Sequence, residues 1–370
     1  MIAVSGQKEP ALTPTATRLR IAVCLFQRHH PGRLDHLISE KCFDCLDTWD
    51  CVKAIDILVI VPMVTKIDRA LRRIPTHVAD IVQNPRWLPM FALARIVAFR
   101  NKAWSRATAP KTVDISNSLF PTVDPDEVVK CLKADGLFEG FQIPTALHTE
   151  ILNFAKRTPC FGNLNRQIEF LPYNHRSAER SIGRAILTGH FFERVLNCDA
   201  ARAVQQDPIL LQISQSYLGG EARLTATRLW WSFPSEFAKE EDLHLASQER
   251  LHFDLDDWRL LKFFFYITDV DENAGPHVYV VGSQRRRKLK HQLTLMVGHS
   301  TKEIVGFYGR HALKALTGSA GFGFVEDPFG FHMGSIAKTS PRLILEVTFG
   351  VTEKLHTRFF GEPHPRTSGS

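Results

Sequence analysis

The chain has 370 residues, 44% hydrophobic and 23% charged, a balance that excludes a disordered protein and allows one large core or two modest ones. Its 46 Lys and Arg outnumber 39 Asp and Glu by seven, giving a net charge of +7 that reads as a mildly basic solvated surface, with no nucleic-acid partner expected. Met1 to Arg20 lacks the charged start and apolar core of a secretory signal. The two most apolar runs, Ile55–Val64 and Trp87–Phe99, are shorter than the ~20 residues of a membrane-spanning helix, and Arg95 interrupts the second, so no transmembrane segment is expected. Seven cysteines without a small-scaffold spacing suggest free thiols and a cytoplasmic setting. Cys42-x2-Cys45, with Cys51, Cys24, His29, His30 and His36 nearby, lacks the second half of a zinc-site pattern.

In chain order, residues 1 to about 20 read as disordered, and residues up to about 108 form a mostly helical N-terminal extension of unassigned role. The join lies between Lys102 and Ser116, where Thr108-Ala-Pro-Lys-Thr breaks any helix. A well-signalled helix follows, with Asp124 as N-cap, Pro125 at the first position, Asp126 and Glu127 in the first turn and Gly136 at the end. Further helices are expected over Pro144–Lys156, Ala178–Leu187 and Ala200–Tyr217, the last closed by Gly219-Gly220. From Arg223 onward β-branched and aromatic residues predict strands at Leu224–Phe233, Arg259–Thr268, His277–Val281, Glu303–Tyr308, Ala320–Val325 and Leu343–Phe349. Helices followed by many short strands predict an α+β, mainly β chain: a double-sheet jelly roll, cupin-like, backed by helices. The expected domain runs from 109 to 355, with a flexible tail at 356–370.

His252-Phe253-Asp254 is the most informative triplet. Alone it is close to chance in a chain with 16 histidines. In an extended strand, however, residues i and i+2 share a face, so His252 and Asp254 can hold one ion together. A distant second histidine completes the two-imidazole, one-carboxylate set that binds non-haem Fe(II), and His332 in Asp327-Pro-Phe-Gly-Phe-His-Met-Gly334 is the candidate. Arg342 opens the strand Leu343–Phe349; an arginine pointing into a barrel must be paired, which a bound carboxylate held by both arms of its fork would do, and the alternative is an exposed strand-start arginine. His148-Thr149-Glu150 also fits His-x-acid, but it falls in a helix, where i and i+2 diverge.

Three other motifs weigh less. Arg285-Arg-Arg-Lys-Leu-Lys290 reads as a solvated loop face after the Gly282-Ser283 turn. Ser335-x-x-Lys338 lacks the companion motifs of acyl-serine enzymes. There is no P-loop, dinucleotide glycine motif or nucleophile elbow.

His252-Phe-Asp-Leu-Asp-Asp-Trp, Lys262-Phe-Phe-Phe-Tyr-Ile-Thr-Asp-Val-Asp, Gly275-Pro-His-Val-Tyr-Val-Val-Gly-Ser283 and Gly321-Phe-Gly-Phe-Val-Glu-Asp-Pro-Phe-Gly-Phe-His332 with Arg342 stand in order along the chain. Together with Leu132-Lys-Ala-Asp-Gly136-Leu-Phe, this series resembles the phytanoyl-CoA dioxygenase-like family over roughly residues 113–352. The resemblance implies a double-stranded β-helix and an Fe(II)- and 2-oxoglutarate-dependent oxygenase that uses O2. By it, His252, Asp254 and His332 hold the iron and Arg342 grips the distal carboxylate of 2-oxoglutarate. A hydroxylase of a small organic or acyl substrate, releasing succinate and CO2, is then expected. Asp254 in the ligand set favours hydroxylation over halogenation. Trp230, Trp231, Phe263, Phe264 and Phe265 are candidates for an aromatic wall around the centre. Gln284 and Met333 depart from the family's usual residues. A catalytically silent jelly-roll binding protein and a zinc-dependent hydrolase with the same ligands are the alternatives.

Overall fold

Two short helices, α1 (Trp87–Leu93) and α2 (Val97–Trp104), open the part of the chain that the computed structural model describes: residues 87–104, 112–238, 250–293 and 298–352. All of these belong to the unit that begins at Ala79. The Cys42–Cys45 group, the run Ile55–Val64, the start of the chain and the 356–370 tail lie outside the described residues. No helix among the described residues is long and apolar enough to cross a membrane.

Helix α3 (Pro125–Asp135) forms as its caps dictate. The Asp124 carboxylate accepts from the Asp126 N–H at 2.9 Å, and Pro125 occupies the first turn, where a missing N–H costs nothing. Gly136 ends it at φ 78°, donating its N–H to the Leu132 carbonyl. Helices α4 (Thr145–Arg157), α5 (His175–Ile182), α6 (Asp199–Gln205) and α7 (Pro208–Leu218) follow.

Two expected helices are corrected here. The span Ala178–Leu187 stops early because Gly183, at φ 66°, ends α5. The span Ala200–Tyr217 is two helices, because Pro208 has no N–H to continue the first. Asp207 restarts the chain instead, its carboxylate accepting from the Ile209 N–H at 2.9 Å and from the Leu119 N–H at 2.6 Å.

Eleven strands follow among the described residues. They are β1 (Leu137–Gln142), β2 (Cys160–Gly162), β3 (Glu169–Phe170), β4 (Thr188–His190), β5 (Arg223–Ser232), β6 (Leu260–Tyr266), β7 (His277–Val280), β8 (Leu313–Leu316), β9 (Phe322–Glu326), β10 (His332–Gly334) and β11 (Arg342–Gly350). The expected strand Glu303–Tyr308 is instead part of helix α9 (Thr301–Tyr308). Its β-branched composition lost to the Ser300 cap, whose hydroxyl accepts from the Glu303 N–H at 3.2 Å. Helix α8 (Leu289–Leu293) precedes it.

One antiparallel sheet has the order β1-β9-β6-β11-β5-β4-β2-β3, and a small antiparallel sheet has the order β10-β7-β8. Strand alternation sorts the side chains into layers. Phe263 and Phe265 of β6, Leu343, Leu345 and Val347 of β11, and Leu229 and Trp231 of β5 pack on Val128, Leu132, Leu210 and Ile213 of the helices. The opposite face of the large sheet carries Phe264, Tyr266, Phe324 and Ile344, which pack against Tyr279 and Leu316 of the small sheet. Beyond the small sheet, Val280, Leu251 and Phe331 meet Ile304 of α9. The described chain is thus a large antiparallel sheet with helices on one face and the small sheet on the other. Cys160 and Cys198 are buried free thiols, and burial pushes Cys160 up to about 12.

Gly136 ties helix α3 to the small sheet. A Cβ there would collide with the Tyr279 hydroxyl and lie 2.7 Å from Gln284 Cδ, in a left-handed conformation that L-residues rarely adopt. Gly136→Ala should therefore destabilise the fold by about 1–3 kcal/mol or more, read as a lower urea midpoint with unchanged slope.

Candidate metal centre

The site begins with an antiparallel bridge between residues far apart in sequence. The His252 N–H donates to the His332 carbonyl at 2.9 Å, and the His332 N–H returns the bond to His252 at 2.8 Å. A mutually bonded pair sends both side chains to the same face, and the two rings lie 4.5 Å apart. Asp254 is pinned two residues on, its N–H donating to the Pro328 carbonyl at 2.8 Å. His252, Asp254 and His332 each offer a ligand atom, and these atoms all lie within 4.8 Å of one another.

Backbone carbonyls set the ring tautomers. Nδ1 of His252 faces the Arg250 carbonyl at 3.0 Å, and Nδ1 of His332 faces the Gly330 carbonyl at 3.0 Å. A carbonyl only accepts, so both Nδ1 atoms carry the proton and both Nε2 atoms present a lone pair. These Nε2 atoms flank one carboxylate: His252 Nε2 is 4.0 Å from Asp254 Oδ1 and His332 Nε2 is 3.7 Å from Oδ2. Neighbouring ligands of an octahedral ion stand about 3 Å apart, so the three donors fit a divalent ion after closing by up to about 2 Å.

Sequence reasoning missed the charges behind this trio. Lys262 of β6 points to the same face and its Nζ is 2.6 Å from Asp254 Oδ2 and 3.8 Å from Glu346 Oε1. Glu346 of β11 meets Arg228 of β5 at 3.5 Å. Glu326 of β9 takes His277 Nε2 at 2.8 Å and lies 3.8 Å from His332 Nδ1. The register explains the gathering, since Lys262 pairs with Glu326 across β6–β9 and Glu346 with Arg228 across β11–β5. The legible signal was period two: a lysine and a glutamate stand at inward positions of otherwise apolar strands.

Burial alone raises the Asp254 carboxyl, but Lys262, then His332 and His252, outweigh it and hold it well below the usual carboxylate range. Burial pushes Glu326 up to about 7, His332 down to about 4 and His277 down to about 3. At neutral pH the His332 imidazole is uncharged and free to coordinate, His277 is neutral too, and burial keeps a proton on Glu326 into the neutral range.

Arg342 lies at the start of β11, 4% exposed, opposite Ser232. It donates to the Gly275 carbonyl and, through Nη2, to the Ser232 hydroxyl at 3.0 Å. Its buried Nε has no partner, and no carboxylate among the described residues pairs with it. The guanidinium is therefore buried beside Tyr266 with its charge uncompensated, as a site for an incoming carboxylate requires.

The other expectations resolve by face. Of the aromatic wall, Trp230 and Phe264 lie on the site side, whereas Trp231, Phe263 and Phe265 belong to the helix-side core. His148 and Glu150 lie in α4, where the Glu150 carboxylate accepts from the Ala200 N–H at 3.2 Å. Gln284 donates to the Leu132 carbonyl at the end of α3, and Met333 packs on the outer side of the small sheet with Leu251 and Phe331. The basic run is solvated except at Arg287, which is buried over the rings of Phe253, Phe329 and Phe331 at 4.1, 4.0 and 4.6 Å. A solvated loop face does not describe that residue, because three aromatic faces take its charge.

No family model matches the chain, and no curated protein matches it. Among solved structures, it is similar to the non-heme alpha ketoglutarate dependent epimerase SnoN from nogalamycin biosynthesis, at 15% identity over 61% of this chain and 81% of that one, TM-score 0.43. It is also similar to HygX from Streptomyces hygroscopicus with nickel, 2-oxoglutarate and hygromycin B bound, at 11% identity over 61% and 87%, TM-score 0.42. A third is EctD from S. alaskensis with 2-oxoglutarate and 5-hydroxyectoine, at 17% identity over 65% and 82%, TM-score 0.43. At this level of similarity the reading of the site rests on its own residues.

The raised Glu326 carboxyl has a measurable consequence. The folded chain keeps a proton that the unfolded chain releases between about 4.5 and 7, so this stabilising contribution is present at low pH and is lost as pH rises through about 7. Glu326→Gln cannot ionise. In chelator-treated protein, the variant should gain stability relative to wild type between about pH 5 and 8, by up to about 3 kcal/mol, in paired urea titrations. A constant difference across that range would place the carboxyl's pKa near its ordinary value.

Proposed function

We propose that the chain is an Fe(II)- and 2-oxoglutarate-dependent dioxygenase that hydroxylates a small organic or acyl substrate, on a double-stranded β-helix spanning roughly 109–355. One observation carries the reading. Two imidazoles with carbonyl-fixed tautomers converge on one ionised carboxylate, and a buried arginine without a carboxylate partner lies on the same side of the large sheet as Lys262, which pairs with that carboxylate. That combination suits a metal ion together with a dicarboxylate co-substrate better than it suits a metal alone.

In this reading His252, Asp254 and His332 hold the iron, and Arg342 holds the distal carboxylate of 2-oxoglutarate. Iron and 2-oxoglutarate, when bound, supply the activation of O2, with succinate and CO2 as the co-substrate's products. The chain's own part is placement. Lys262 keeps Oδ2 of Asp254 turned toward the sheet, which leaves Oδ1 on the His252 side for the ion. Phe264 and Phe324, stacked 5.1 Å apart with His277 against both, form an apolar floor that excludes water. A zinc hydrolase with the same three ligands gives Arg342 no task, and a silent binding protein needs no fixed tautomers.

The test is succinate release from 2-oxoglutarate with Fe(II), measured across a metabolite panel. Asp254→Ala should lose retained iron and succinate formation. A variant that still turns over 2-oxoglutarate at the wild-type rate overturns the ligand assignment. Arg342→Leu should keep iron and weaken 2-oxoglutarate about 30- to 1000-fold, the usual cost of removing one partner of a buried charged pair. Anaerobic turnover without 2-oxoglutarate would favour the hydrolase.

A further inference from the structure

Behind the first centre, on the outer side of the small sheet, lies a second two-histidine, one-carboxylate cluster: His291 of α8, His299, and Glu303 of α9. We propose that these three residues form a second divalent-metal site, of the zinc class, that fastens helices α8 and α9 to the strand carrying His252. The site is separate from the first. His252 and His332 face inward, while their neighbours Leu251 and Phe331 face outward onto the core beside α9.

Geometry gives three reasons. First, both rings turn a nitrogen to the same carboxylate: His291 Nε2 is 3.1 Å from Glu303 Oε1, and His299 Nδ1 is 3.2 Å from Oε2. Donors held at about 2.0–2.1 Å from one zinc ion stand about 3–4 Å apart, so this spacing is already that of a ligand set. Nitrogen and carboxylate oxygen are also donors such an ion accepts.

Second, the imidazoles are buried, His291 at 1% and His299 at 7% exposure, and their opposite nitrogens, His291 Nδ1 and His299 Nε2, have no hydrogen-bond partner. Among the described residues only Glu303 bonds to these rings and no carbonyl locks either tautomer, so either ring can turn a lone pair to the carboxylate side. Two half-satisfied buried imidazoles are costly where an apolar pair would pack. A shared ion would add bonds at the two nitrogens that face Glu303 and give the buried rings a task that an apolar pair could not perform.

Third, the lysine that pairs with Glu303 among the described residues is easily displaced. Lys290 Nζ reaches Glu303 Oε1 at 2.8 Å, but its side chain is 61% exposed. An exposed pair of that kind contributes at most about 1 kcal/mol. Coordination would release Lys290 to solvent.

The placement defines what the metal would do. His299 and Leu251 exchange both backbone hydrogen bonds, at 2.7 and 3.2 Å, next to His252. Both outer rings pack edge-on against Phe331, centroids 5.5 and 5.2 Å away, next to His332. An ion here would brace the wall that presents two of the three inner ligands, a structural role with no chemistry of its own.

The test titrates metal-free full-length protein with Zn2+ by calorimetry and repeats it with Co2+, read by visible absorption. Four proteins are compared: wild type, Asp254→Ala, Glu303→Gln and the double variant. Glu303 is partly exposed and glutamine matches its shape, so folding is retained. His299→Gln, with folding checked by circular dichroism, provides a second probe. The expected result is that Asp254→Ala and Glu303→Gln each lose one equivalent and the double variant loses two. Reading losses cancels any metal held elsewhere in the chain. The Co2+ band lost with Glu303→Gln should equal the one lost with His299→Gln. Unchanged stoichiometry in Glu303→Gln and His299→Gln overturns the second site and means a hydrogen-bonded cluster only, leaving the iron reading intact. Unchanged stoichiometry in Asp254→Ala, with loss in Glu303→Gln, overturns the iron reading and leaves the second site standing.

Discussion

The contact on which the rest depends is the buried ion pair of Lys262 and Asp254, 2.6 Å apart. Two charges removed from water repay that cost only when geometry is good and their remaining hydrogen-bonding capacity is met. Here Lys262 sits mid-sheet on β6, between β9 and β11, so a loop carboxylate is positioned by the stiffest part of the molecule. The pairing also divides the labour of the two oxygens. A carboxylate has about four acceptor positions, and Lys262 consumes one on Oδ2. The Oδ1 side remains for an ion.

That pair is one link in a longer chain of alternating charge: Asp254, Lys262, Glu346 and Arg228. Each member comes from a different segment, and antiparallel register sets their order. Shifting β6 or β11 by one residue would send Lys262 or Glu346 into the helix-side core among Phe263 and Leu345, where no partner exists. The polar face therefore specifies register as strongly as the apolar face does, because a misregistered strand buries an unpaired charge. Glu326 obeys the same rule differently. Among the described residues no lysine or arginine lies within ion-pair reach of it, and burial favours its neutral form beside His277.

Much of this was legible in the sequence, and the failures have physical causes. The His-x-Asp spacing and the distant His332 picked out three residues that the fold brings together, and the strand-initial Arg342 is a buried arginine, since period two acts locally. The partners Lys262, Glu326 and Glu346 escaped notice because which inward charges meet is decided by register between strands far apart in sequence. Boundaries failed where one residue outweighed composition. Pro208 split one expected helix, and the Ser300 hydroxyl turned an apolar, strand-like run into α9. Short strands such as β10 carry no periodicity to read, and three residues suffice there only because both edges of the bridge are supplied by distant backbone.

The buried arginines show why Arg342 differs from the others. Arg100 is matched by Asp327 at 3.0 Å, a carboxylate that also accepts from the Tyr217 hydroxyl at 2.7 Å. Arg259 donates to the Tyr217 and Leu218 carbonyls at the C-terminal end of α7, where the helix dipole is negative. Arg287 lies against three phenylalanine faces. Each solution disperses the charge within the protein. Among the described residues Arg342 has the Gly275 carbonyl and the hydroxyls of Ser232 and Tyr266, all neutral, and its side of the large sheet looks toward His277 of the small one. Arg259 and Arg287 also keep an unpartnered Nε, but helix-end carbonyls and aromatic faces take their charge, and Arg342 has neither. In the proposed function the missing counter-charge is the carboxylate of the co-substrate, received by the buried guanidinium.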